Sequence, residues 1–218
     1  VYLAIANDLA TSPKIQLNFQ DSTDLNQLTS GMTVTSNAAS TGLSFSTTIY
    51  SGNSTHTGSG AEQVITTGVD NTQKSMIWFK NRSGSSSHAI FDTLRTPPDH
   101  RWLRSDSDGV ELDSAEVLKD RTDTGFTVVH PTSGSGVSTT NPNGNEPDMV
   151  AWNFRAAPGF FDIQTYTGIS EGYANQSQAI SHNLGSEPGM IVVKNLDGSD
   201  SWMVYHKELE DNTWIRLN

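Results

Sequence analysis

Two short segments carry the residues best suited to chemistry, and they resemble each other. Trp102-Leu103-Arg104 and Trp214-Ile215-Arg216 each set an aromatic ring and a guanidinium two residues apart, on one face of an extended chain. Sugar rings stack their apolar faces on Trp while Arg bonds the hydroxyls, so Trp102, Arg104, Trp214 and Arg216 are candidate ligand-binding residues. A structural reading competes, because a Trp near a strand end seals a sandwich core. Downstream of the first pair, Asp106-Ser107-Asp108-Gly109-Val110-Glu111-Leu112-Asp113 gathers carboxylates. Hard cations take several oxygen ligands, which makes Asp106, Asp108 and Glu111 candidate ligands for Ca²⁺, the one cofactor considered. Their spacing does not follow the helix-loop-helix calcium pattern, and a solvated acidic turn accounts for the same run. Glu111, Asp113 and Glu116 are the carboxylates weighed for glycan hydrolysis, which needs two carboxyls roughly 5–9.5 Å apart. No partner motif accompanies them. The serines include no G-x-S-x-G elbow, and His182 and His206 lack the spaced partners of a transition-metal site. No catalytic residue is assigned, and the chain does not read as an enzyme.

The elements that must position these side chains are strands. Short β-branched and aromatic runs are separated by clusters of Gly, Ser, Thr, Asn and Asp. Strands are predicted at 14–19, 33–35, 42–50, 61–66, 75–80, 89–92, 102–103, 125–129, 149–155, 160–166, 176–181, 189–194, 202–206 and 214–217. Most alternate apolar with polar residues, which predicts one buried and one wet face. A helix of one or two turns is predicted over 114–119 alone. At 218 residues the chain has room for one large domain or two small ones. Thirteen basic against 24 acidic residues give a net charge of −11, which argues against a nucleic-acid partner. Apolar residues are only 34% of the chain, so the core must be thin or sheet-like. Cysteine is absent, which removes disulfides, thiolate metal sites and cysteine nucleophiles. No run of about 18 apolar residues predicts membrane insertion.

The chain also repeats itself. Ser75-Met76-Ile77-Trp78-Phe79-Lys80-Asn81 aligns with Gly189-Met190-Ile191-Val192-Val193-Lys194-Asn195 at an offset of 114, and Ala89-Ile90-Phe91-Asp92 with Met203-Val204-Tyr205-His206 at the same offset. Gln63-Val64-Ile65 matches Gln178-Ala179-Ile180 at 115, Ile49-Tyr50-Ser51-Gly52 matches Thr165-Tyr166-Thr167-Gly168 at 116, and Trp102 to Arg104 matches Trp214 to Arg216 at 112. Nothing in the later blocks answers to 125–129 or 149–154, so the second copy reads as incomplete. Val1-Tyr2-Leu3-Ala4-Ile5-Ala6 starts inside an apolar run and reads as the last strand of a preceding unit. The expected domains are residues 1–46, the end of that unit plus a small β linker; 47–162, a first β-sandwich repeat; and 163–218, a truncated second one.

These blocks resemble the tandem β-domain repeats of tail-fibre and other appendage proteins of tailed bacteriophages, particularly marine ones. The likeness rests on Tyr166-Thr167-Gly168, on the run from Gln178 to Asn195, on Trp202-Met203-Val204-Tyr205-His206, and on Gly125-Phe126-Thr127-Val128 and Val150-Ala151-Trp152-Asn153-Phe154. The first copy has Gly68-Val69-Asp70 where the second has His182 to Pro188, so the turn there differs. The resemblance implies an all-β fold, an antiparallel β-sandwich of jelly-roll or concanavalin-like kind, in a virion structural protein at an extracellular surface. It also implies homo-oligomers, contact with other virion proteins and attachment to a host cell-surface glycan. A lectin-like carbohydrate-binding module, a glycan depolymerase and a bacterial adhesin repeat are the alternatives.

Overall fold

The computed structural model describes residues 43–53, 62–95, 100–113, 117–129, 148–169, 177–210 and 213–218. They belong to one compact unit, to which Val1–Ala6 is also assigned and which otherwise runs from Gly42 to Asn218. A second compact unit, Asn7–Thr41, lies outside the described residues, as do Val1–Ala6 and the strands predicted at 14–19 and 33–35.

The described chain is all-β and antiparallel. Its strands are β1 (Phe45–Ser51), β2 (Glu62–Thr66), β3 (Ser75–Asn81), β4 (Ala89–Asp92), β5 (Arg101–Leu103), β6 (Leu112–Asp113), β7 (Leu118–Thr122), β8 (Gly125–Val129), β9 (Asp148–Arg155), β10 (Met190–Val193), β11 (Met203–His206) and β12 (Ile215–Arg216). They form a six-stranded sheet in the order β1-β9-β3-β4-β5-β6 and two three-stranded sheets, β2-β8-β7 and β10-β11-β12.

Alternation along the strands decides what packs where. Ile77 and Phe79 of β3, Phe91 of β4, Trp102 of β5 and Met149 and Ala151 of β9 leave the six-stranded sheet on one side and meet Ile65, Leu118, Phe126 and Val128 of the β2-β8-β7 sheet. Their neighbours Met76, Ile90, Leu103 and Phe154 leave on the other side and meet Val192, Trp202 and Val204 around the β10-β11-β12 sheet. The large sheet is therefore covered on both faces. For its central strands this corrects the expected wet face: in β4 all four residues are buried, and β3 buries Ser75 to Ile77 and Phe79. A strand sealed on both sides needs a near-continuous apolar run, which is what Met76-Ile77-Trp78-Phe79 supplies. Gly125 opens β8 for a steric reason. A Cβ there would lie 2.0 Å from the Ile65 carbonyl oxygen of β2.

Three other expectations change. Leu118 and Lys119, assigned to the predicted helix, begin β7, because Leu118 pairs with Val128 and is buried in the first core. Sheet pairing outweighs the weak local helix preference. Residues 177–181 form no strand, and 160–166 makes a single bridge, Ala157 to Phe161.

The aligned blocks occupy corresponding places in two meanders, β3-β4-β5 and β10-β11-β12. Ile77 pairs with Phe91 and Trp78 with Ile90; Ile191 pairs with Tyr205 and Val192 with Val204. Ile90 pairs with Leu103, and Val204 with Ile215. The Thr93 N–H donates to the Ser75 carbonyl at 3.1 Å, and the Lys207 N–H to the Gly189 carbonyl at 2.9 Å. Both first hairpins close alike: Lys80 Nζ donates to the carbonyls of Asn81 (2.7 Å) and Gly84 (3.2 Å), and Lys194 Nζ to those of Asn195 (2.6 Å) and Gly198 (3.1 Å). Gln63 Nε2 donates to the Ser51 carbonyl at 3.1 Å, and Gln178 Nε2 to the Thr167 carbonyl at 3.1 Å. The two meanders meet across the second core through matching faces, Met76 and Ile90 from one and Met190 and Val204 from the other.

Candidate functional site

Between the large sheet and the second meander lies a cavity of about 360 Å³. It is lined by the segment from Ile163 to Gly168, by the end of β10 and its turn from Val193 to Asp197, and by Asp92, Arg95 and Leu103. Leu103 reaches it because alternation in β5 turns Trp102 to the first core and Leu103 to the second.

Arg95 is buried at this site and its donors are spent on neighbours. Nε bonds Asp92 Oδ2 at 2.5 Å, Nη2 bonds the Ile90 carbonyl at 2.9 Å and Nη1 meets Glu111 Oε1 at 3.4 Å. The other Asp92 oxygen accepts the N–H groups of Leu94 (2.9 Å) and Arg95 (3.1 Å), so the turn after β4 is built on one carboxylate. Glu111 also lies 3.5 Å from Arg101, and Arg101 lies 3.4 Å from Asp113. On the turn wall, burial pushes the Lys194 ammonium below the ordinary lysine range, against the opposing pull of Asp200 and Asp108. Tyr166 on the other wall is exposed.

The segment from Ile163 to Gly168 is held at its start by Asp162. This carboxylate meets Lys74 Nζ at 2.6 Å and accepts Gln164 Nε2 and the Asn183 N–H, both at 2.8 Å. Burial raises its pKa, but the Lys74 bond and the N–H donors outweigh burial and hold it below the ordinary aspartate value. A carboxyl whose pKa is lowered by folding stabilises the protein fully above the unfolded value of about 3.9 and loses that contribution as pH falls through the folded value. Asp162→Asn is therefore expected to be destabilising at neutral pH, with the gap to wild type narrowing as the pH falls below about 4. Urea unfolding at a series of pH values checks this; a gap that stays constant into acid contradicts it.

The residues singled out by sequence separate. Trp102 is buried in the first core, stacked on Phe91 with ring centroids 6.3 Å apart. The Arg104 carbonyl accepts Trp202 Nε1 at 2.9 Å. Trp214 is exposed, and Arg216 lies over its ring at 5.3 Å. Asp106 accepts the His88 N–H at 3.1 Å, and Glu111 is paired with Arg95 and Arg101. Asp106, Asp108 and Glu111 do not converge: among the described residues no three His, Cys, Asp or Glu side chains are placed to hold a metal ion. Glu116 lies outside the described residues. Sequence reasoning did not single out the Arg95–Asp92 pair or Asp162, whose partners come from other turns and strands. The cavity did leave a partial signal, since its lining includes 165–168 and 193–195 from the aligned blocks.

A family model described as a domain of unknown function, DUF7483, matches residues 40–218. The chain belongs to that family. The DUF7483 region takes in every described strand, both cores and the cavity. No curated protein and no solved structure matches the chain. Among the described residues, no helix is long and apolar enough to cross a membrane.

Proposed function

We propose that this DUF7483 chain is a non-enzymatic structural segment of a virion appendage, of the tail-fibre kind, that packs β units against one another and presents its loops at a host cell surface. The observation that supports this is the outer face of the second meander. Ile77, Phe79, Phe91 and Trp102 of the first meander are buried beneath the β2-β8-β7 sheet, whereas the corresponding Ile191, Val193, Tyr205 and Trp214 have no sheet above them among the described residues, and Tyr205 and Trp214 are 42% and 48% exposed. An apolar sheet face of this kind suits packing against a neighbouring unit in an array. Its partners are further copies of the chain and other virion proteins, and its place is the extracellular surface of the particle. The net charge of −11 favours solubility at the high local density of a fibre.

Gold-labelled antiserum raised against the chain tests this on purified tailed-phage particles whose genome encodes it. Label along an appendage is the expected result; unlabelled particles, or label on bacterial cells alone, would sink the virion reading. A second reading, glycan contact, is favoured by the exposed Trp214 with Arg216 over its ring. A glycan array should then show binding that Trp214→Ala removes, with no reducing ends released from the polysaccharide. Release would point to a depolymerase instead.

A further inference from the structure

In the first meander the strand β9 lies between β1 and β3, and its hydrogen bonds fix which main-chain groups hold it. The Arg155 N–H donates to the Ser44 carbonyl at 2.8 Å, and the Arg82 N–H donates to the Asp148 carbonyl at 2.6 Å. Main-chain groups alternate sides along a strand, so Thr48 and Tyr50 turn theirs toward β9 from one side, and Trp78 and Lys80 from the other. In the second meander the residues corresponding to Tyr50 and Lys80 are Tyr166 and Lys194, one on each wall of the 360 Å³ cavity. Among the described residues no strand lies between them, and β10 is the edge of its sheet. Among the described residues, the cavity therefore lies beside the residues that correspond to those flanking β9.

We propose that this slot binds an extended peptide strand with the alternating apolar character of Asp148–Arg155. The strand pairs with the edge of β10 through the main-chain groups of Val192 and Lys194, and with the opposite wall through those of Gln164 and Tyr166. Main-chain pairing supplies the affinity of such strand addition, and side-chain pockets supply its selectivity. The internal template sets that selectivity. In β9 the residues Met149 and Ala151 face the first core and Trp152 and Phe154 the second, so Val150 shares the side of Trp152. A residue in the place of Val150 then faces Leu103 and the Asp92–Arg95 pair. There the carboxylate and guanidinium are already bonded to each other, so an apolar side chain of Val size fits better than a charged one. This inference deepens the packing role proposed above: neighbouring units would be joined by a shared strand as well as by a sheet face.

The test uses the full chain and a fluorescein-labelled peptide of sequence Asp148–Arg155, followed by fluorescence anisotropy. Saturable binding is expected. Methylating the peptide nitrogens at the Met149 and Val150 positions keeps every side chain and should weaken binding at least about tenfold, the equivalent of one lost hydrogen bond. Tyr166→Pro in the protein removes a wall N–H at an exposed position and should weaken it comparably with the urea midpoint unchanged. Sedimentation velocity with and without peptide reads the other occupants. A dimer that the peptide dissolves supports the slot, since a second copy is then supplying the strand. No peptide binding, or equal binding of the methylated peptide, overturns it. Appendage labelling is scored separately, so a labelled fibre with an inert slot removes this inference alone.

Discussion

Arg95→Met is expected to destabilise the protein by about 3–5 kcal/mol, the cost of leaving a buried carboxylate without its cation. Asp92 and Arg95 have side chains only 4% exposed each, so the carboxylate is left largely shielded from water. The loss extends beyond the pair, because Glu111 and the Ile90 carbonyl also give up a donor. Asp92 would still accept the N–H groups of Leu94 and Arg95, which keeps the turn formed and makes the effect one of stability in the first instance. The double substitution Asp92→Leu with Arg95→Met removes both charges and should recover much of the loss, although it gives up the turn bonds. Urea or guanidinium unfolding of the two variants and wild type measures this. A single variant within about 1 kcal/mol of wild type, the range of an exposed pair, would show that the network is solvated.

Trp202→Ala is expected to cost about 3–5 kcal/mol and to loosen the second meander before the rest of the fold. Trp202 is fully buried, the largest side chain of the second core, and Nε1 donates to the carbonyls of Arg104 (2.9 Å) and Ser107 (3.1 Å). Those carbonyls belong to the segment after β5, so one indole fills the core and ties β11 to the large sheet. Trp202→Phe keeps most of the volume and leaves the two carbonyls without this donor, and should cost about 1–3 kcal/mol. Amide exchange resolves where the loosening occurs: protection should fall first in 190–206 and later in β3, β8 and β9. Uniform loss of protection in both cores would mean that the two layers unfold as one.

The strand content was legible because period-2 alternation and turn clusters are local signals, as in β1, where half-buried and exposed residues alternate along all seven positions. The correspondence between the two meanders was legible for a related reason: the offset of 114 survives as backbone register from Ile77 and Phe91 to Ile191 and Tyr205. The predicted helix at 114–119 gives way to strand at Leu118 and Lys119, which carry no local sign of the β8 partner, while 114–116 lie outside the described residues. The site was less legible than the fold. Trp102 and Trp214 share the Trp-x-Arg pattern, yet one is sealed in a core and the other exposed, because the β2-β8-β7 sheet covers the first.

The sequence by itself determined an antiparallel all-β chain and most of the described strand positions, since each depends on neighbours a few residues apart. Only the tertiary structure decided that the two three-stranded meanders meet across a shared core, that the central strands of the large sheet are covered on both faces, and that a cavity lies beside the end of β10. Those outcomes depend on which faces meet across sheets, and burial of an apolar face is set by what lies above it in space, a partner that the residue types along a strand do not name.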